Sequence, residues 1–119
     1  MKLPPIPPNQ EQLVKIRLFK VDPNLGKVYG IKGKEIGWIN KNNKYCYVTC
    51  HGKGKWRHFK RANIVWLAVF GRWPTMELDH RNRSKTDDSI GNLREATLSM
   101  QRINQDRPSW WKISSKQTS

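Results

Sequence analysis

An α+β fold is what the sequence predicts: an N-terminal antiparallel β-meander followed by a compact, partly helical core. Three changes in patterning carry that expectation. Up to about residue 60, short apolar pieces are interrupted by Gly, Asn, Lys and Asp-Pro. At Ala62 the chain switches to a run that is apolar on nearly every side. After Asn92, apolar residues recur at three- and four-residue spacing.

Taken in order, residues 1–10 (MKLPPIPPNQ) hold four prolines and read as an extended, flexible arm. Residues 11–61 form a Lys-rich β lobe. Val14, Ile16 and Leu18 alternate as in a strand, and VDPNLGK supplies a turn. Strand-like pieces follow at 28–31, 36–39, 45–48 and 56–59, joined by links such as NKNNK and HGKGK. Residues 62–106 make the second unit. NIVWLAVFG is a short buried helix stopped by Gly71 and Trp73-Pro74, MELDH is strand-like, and RNRSKTDDSIG is a polar loop. Leu93, Ala96, Thr97, Met100 and Ile103 then mark a helix, started at Asn92 by a capping-box relation to Glu95. Residues 107–119 form a basic, aromatic tail with Trp110 and Trp111, suited equally to docking on the lobe and to stacking on DNA. Trp38, Trp56, Trp66 and Trp73 are expected in the core.

Charge narrows the partners. The chain has 23 Lys and Arg against 9 acidic residues, a net charge of +14. Residues 1–60 alone hold 13 basic and 3 acidic residues. Such a chain repels itself unless it meets a polyanion, and nucleic acid is the usual one because phosphate neutralisation releases condensed counterions. The Lys residues do not follow the helical spacing of a membrane-surface helix, and the apolar run at 64–70 is too short to cross a bilayer. No membrane partner and an intracellular (cytoplasmic) setting, such as that of a phage-infected host, are therefore expected. Cys46 and Cys50 lie on one strand ~13 Å apart, too far for a disulfide. Reduced thiols are the expectation, with a zinc site including His51 or His58 as the weaker alternative.

The chemistry concentrates at 66–104, WLAVFGRWPTMELDHRNRSKTDDSIGNLREATLSMQRIN. Trp66, the Gly71-Arg72-Trp73-Pro74 turn, Asp79-His80, Asn82, Asp87, Ile90, Asn92-Leu93-Arg94 and Ala96-Thr97-x-Ser99 form a specific combination. It resembles the HNH endonucleases, in particular the phage and intron-encoded homing group built on a ββα-metal core.

Phosphodiester hydrolysis needs an activated water, charge neutralisation at phosphorus and help for the departing 3′ oxygen. A histidine can take the proton near neutral pH, and one hard divalent cation can serve the phosphoryl and leaving oxygens. The resemblance implies that His80 is the general base and Asp79 a ligand of a single Mg²⁺, Mn²⁺ or similar ion. Because strand neighbours point to opposite faces, a bend must bring both to the phosphate. Asn92 is the middle residue of the motif and is implied to hold the histidine and its loop; its plain alternative is a helix N-cap. The second metal position falls on Gln101 where the family has His or Asn, and Asn104 offers a shorter amide on roughly the same face. Arg83 stands where the family's loop usually has glycine.

Arg81, Arg83, Lys85 and Arg94 surround the expected site and suit a scissile backbone, while Lys53 and Lys55 suit phosphate contact farther away. The expected activity is cutting or nicking of double-stranded DNA, leaving phosphate on the 5′ end as the resemblance implies. Two alternatives belong to other classes: a non-catalytic DNA- or RNA-binding protein on the same scaffold, and a ribosome-type RNA-binding protein. The second leaves the spacing from Asp79-His80 to Asn92 unexplained.

Overall fold

The computed structural model describes residues 5–96. The chain opens with helix α1 (Gln10–Leu18), where alternation pointed to a strand. Asn9 caps it: its side chain accepts from the Gln12 backbone N–H, and the Gln12 side chain accepts from the Asn9 N–H. Ile16 and Gln12, one turn apart, are buried, whereas Val14 and Leu18 are exposed. A nine-residue helix is marginal by itself. It is held because the buried Gln12 amide donates to the Lys55 carbonyl and Lys15 to the His51 carbonyl.

Two three-stranded antiparallel sheets follow. The first joins β1 (Lys20–Asp22), β2 (Lys27–Tyr29) and β3 (Glu35–Ile36) in that order. The second joins β4 (Trp38–Ile39), β5 (Cys46–Gly52) and β6 (Lys55–Lys60), with Tyr47 opposite Lys60 and His51 opposite Trp56. Alternation along β5 sends Cys46, Val48 and Cys50 inward and Tyr47, Thr49 and His51 outward. Both cysteines are free and buried, while His51 and His58 lie on the opposite, outer face. Among the described residues no cluster of His, Cys, Asp and Glu could hold a metal, so the zinc alternative finds no support there.

Helix α2 (Arg61–Phe70) follows β6 without a break and buries its first seven residues. It stops where expected, at Gly71, whose φ of 73° is left-handed and whose N–H returns to the Leu67 carbonyl. β7 (Leu78–His80) then pairs antiparallel with β8 (Leu93–Glu95), the two joined by a polar loop ending in a 3₁₀ turn (Ile90–Asn92). The helix expected to start at Asn92 does not start there, because 93–95 is strand. Asn92 and Glu95 have capping-box spacing, but both side chains are spent on tertiary contacts, described below. The later part of that expected helix, with Met100, Gln101, Ile103 and Asn104, and the tail with Trp110 and Trp111 lie outside the described residues.

A two-stranded ribbon is unstable alone. This one is anchored by Leu78 and Leu93, which join Ile16, Val28, Val48, Phe59, Ile64 and Val65 in one core drawing on every part of the described chain. Trp66 and Trp73 belong to or pack against that core, as expected. Trp38 and Trp56 do not: they are 39% and 71% exposed on the outer face of the second sheet. No helix among the described residues is long and apolar enough to cross a membrane.

Glu95 ties β8 to the turn after α2. It receives both Arg72 guanidinium nitrogens and the Thr75 backbone and hydroxyl donors. Arg72 above all, with Thr75, pulls its carboxyl down to about 2 from an ordinary value of 4.5. A depressed carboxyl stabilises the fold above the unfolded pKa and loses that contribution as pH falls through the folded one. Glu95→Gln is therefore expected to be less stable than wild type above pH 4.5, by up to about 1 kcal/mol for a solvent-reached pair. The gap should close between pH 4.5 and about 2, read by urea unfolding across that range. A gap independent of pH would remove the ion pair as its cause.

Candidate active site

His80 ends β7 with its side chain inside the protein, only 5% exposed. Its Nε2 lies 2.7 Å from Asp88 Oδ1, and Asp88 is itself 1% exposed. The other oxygen of Asp88 receives Arg61 Nε at 2.8 Å, while Arg61 Nη2 donates to the Thr86 carbonyl. Arg61 is the first residue of α2 and is also buried. Three ionisable side chains thus form one buried chain, Arg61–Asp88–His80. Removing Arg61 or Asp88 from such a set typically costs about 3–5 kcal/mol, because it leaves the other's buried charge without its partner.

A carboxylate can only accept, so the hydrogen of the Asp88–His80 bond is assigned to Nε2. The buried side-chain polar atoms without a partner among the described residues are the indole nitrogens of Trp66 and Trp73. Among the described residues His80 Nδ1 has no partner either, and it is not one of these buried atoms, so it reaches solvent. His80 lines a cleft of about 320 Å³ together with Tyr45, Asp79, Arg83 and Lys85. Asp79 and His80, neighbours on a strand, thus both line one cleft.

Asp79 is 40% exposed at its side chain. Its register partner across the ribbon is Arg94, which gives Nε and Nη2 to Oδ2 at 3.0 and 2.9 Å. Oδ1 has no partner among the described residues. Arg94, expected to face DNA, is instead engaged with the candidate metal ligand. Arg81, Arg83 and Lys85 are exposed, and the latter two line the cleft. Arg83 has φ 63° and donates its N–H to the His80 carbonyl. A left-handed residue is therefore what this position demands, which explains why glycine suits it and why a side chain there carries strain.

Asn92 closes the loop rather than capping a helix. Its Oδ1 accepts from the Asn82 N–H, its Nδ2 donates to Asn82 Oδ1 and to the Asp87 carbonyl, and its own carbonyl accepts from the Arg81 N–H. Asp87, held by the Ser89 hydroxyl and N–H and by Asn82, has its carboxyl pulled below the usual range, the Ser89 hydroxyl contributing most. The loop between the two strands is thus cross-linked at both ends, with Asp88 pointing inward from it.

Sequence reasoning missed Asp88, Arg61 and Tyr45. Asp88 is the second acid of an Asp-Asp pair in a polar loop, and Arg61 is the one charge on an otherwise apolar helix. An acid and a base with no local partner were the available signals. Tyr45 carries a ring contact to His80 at 5.7 Å and has the ammonium groups of Lys60 and Lys85 over its own ring, at 4.0 and 5.1 Å. From Tyr45 the outer face of the second sheet runs away from the cleft through Tyr47, Thr49 and His51, with Trp38, His58 and Trp56 alongside. It ends at the exposed turn that carries Lys53 and Lys55.

Residues 61–101 match the family profile of the HNH endonucleases. That segment holds helix α2 and the β7–β8 ribbon, and it is what makes the chain similar to the HNH endonucleases. A solved structure described as "DNA binding and cleavage by the HNH homing endonuclease I-HmuI" is similar to it at 27% identity and a TM-score of 0.57. The likeness covers 82% of this chain and 60% of that one, so the chain spans less than two thirds of its neighbour's length. No curated protein matches the chain.

Proposed function

We propose that the protein is a metal-dependent DNA endonuclease of the homing type, with His80 as general base. The observation that carries this reading is a buried, carboxylate-held histidine whose free nitrogen reaches solvent and which, beside Asp79, lines a cleft rimmed by Arg83 and Lys85. In this reading Nδ1 takes a proton from water, the water oxygen bonds to phosphorus, and the 3′ oxygen departs, leaving the phosphate on the 5′ end. Arg83 and Lys85 hold the phosphate negative charge in place, and Asn92 keeps the loop that carries them closed.

Asp79 fits a divalent cation. Its Oδ1, a hard oxygen without a partner among the described residues, belongs to a residue that lines the cleft, and Mg²⁺ commonly takes one or two carboxylates together with substrate phosphate and water. When bound, the cation neutralises developing charge on the phosphoryl and leaving oxygens. Gln101 is the proposed second ligand, with Asn104 as the alternative. Plasmid nicking with Mg²⁺ and with EDTA tests the proposal: metal-dependent conversion of supercoiled to open-circle DNA is expected, and its absence over a range of divalent metals would refute the activity.

A second reading has one observation in its favour. Arg94 already neutralises Asp79, as a positive ion would, which suits a non-catalytic protein that binds DNA on this scaffold. Binding is expected in either case. The outer face of β4–β6, ~20 Å long, leads from the cleft to Lys53 and Lys55 and is the proposed track for flanking duplex. The logarithm of affinity should fall steeply with the logarithm of salt, by about 0.9 per phosphate neutralised. Replacing Lys53 and Lys55 together with Ala should reduce that slope by about 2, measured by anisotropy in EDTA. An affinity indifferent to salt would point to a partner that is not a polyanion.

A further inference from the structure

We propose that Asp88, itself held by Arg61, is the positioning residue of His80, and that it fixes which ring nitrogen is free toward the cleft. The inference deepens the reading of His80 as general base and rests on it for its catalytic consequence. A neutral imidazole has one donor and one acceptor nitrogen, and only the partner of one decides the role of the other. Asp88 Oδ1 claims Nε2 as donor at 2.7 Å, so Nδ1 is left as the acceptor. The carboxylate cannot turn away. Arg61 Nε fixes its second oxygen at 2.8 Å, and Arg61 is fixed in turn through Nη2 by the Thr86 carbonyl. The backbone carrying Asp88 is pinned as well, since the Asn92 side chain donates to the Asp87 carbonyl and the Ile90 N–H donates to the Pro23 carbonyl. His80, from the end of β7, is thus oriented by a loop residue and a helix residue that do not themselves line the cleft.

Asp88→Asn separates this role from a merely structural one. An amide in the same place must offer its oxygen to the Arg61 donor, which turns its NH₂ toward His80. Nε2 then becomes the acceptor and the hydrogen moves to Nδ1, the nitrogen facing the cleft, where it blocks proton uptake. The shape and volume of the side chain hardly change.

The experiment is ring ¹⁵N NMR of the full chain, free of metal and DNA, alongside nicking kinetics. Wild type is expected to carry its ring hydrogen on Nε2 and Asp88→Asn on Nδ1. The variant's nicking rate should fall by about 10²–10⁴-fold, the usual worth of a general base. Its DNA affinity in EDTA should stay within about threefold. A wild-type ring protonated at Nδ1 overturns the proposal without any variant, so a failure of Asp88→Asn to fold does not shield it. An Asp88→Asn protein that keeps the hydrogen on Nε2 and nicks within about threefold of wild type overturns it too. If the two tautomers are as expected but wild type never nicks, positioning by Asp88 stands and the endonuclease reading falls.

Discussion

His80→Ala is expected to abolish cleavage while leaving DNA binding within about threefold of wild type. Loss of a general base costs about 10²–10⁴-fold in rate, whereas affinity comes mainly from phosphate contacts that His80 does not make. The fold should survive, because Arg61 and Asp88 remain paired with each other when the imidazole is removed. The local cost is one hydrogen bond to a charged group, about 1.5–3 kcal/mol, plus the space the ring leaves. Nicking rate, anisotropy in EDTA and thermal unfolding on the same preparation separate the three effects. Undiminished nicking by pure His80→Ala protein would remove His80 from the chemistry.

Asp79→Ala should act through metal demand. With its open oxygen gone, the metal concentration for half-maximal nicking should rise on the order of 10–100-fold or more, since even the outer supports of a metal ligand are worth that much. Gln101→Ala is expected to move it in the same direction, and Gln101→Asn or Gln101→His to preserve or improve activity, because all three side chains offer a donor a divalent ion accepts. Asn104→Ala discriminates the two helix positions. Loss of activity there with a wild-type-like Gln101→Ala would make Asn104 the ligand. Arg94→Ala bears on the rival reading: it frees Asp79 Oδ2, so a scaffold silenced by that ion pair would gain metal binding, measured by calorimetry.

What the sequence disclosed was local. The strand ending in Asp79-His80, the polar loop after it and the stop at Gly71 are each written within a few consecutive residues. The first helix misleads for the same reason. Val14, Ile16 and Leu18 alternate, which points to a strand, yet only Ile16 is buried. The deciding signal is the capping pair of Asn9 and Gln12, which straddles the boundary of the Pro-rich arm. Asn92 and Glu95 mislead in the opposite direction, because their spacing suits a helix start while tertiary partners claim both side chains. Asp88, Arg61 and Tyr45 stay hidden because their roles come from contacts across long stretches of chain, eight to thirty-five residues, that no periodicity records.

Gly26, in the turn between β1 and β2, lies so close to the loop that a Cβ there would stand 2.2 Å from the Asp88 carbonyl carbon. Its φ of 67° also favours glycine. The rear wall of His80's support is therefore supplied by a turn more than fifty positions earlier, in a stretch outside the matched family segment. A piece cut out at residues 61–101 and moved into another protein would leave that turn behind, and with it the surface on which the loop rests. This buried glycine is thus as much a condition of the loop's shape as any residue within the loop, because a methyl group there would drive into the Asp88 backbone.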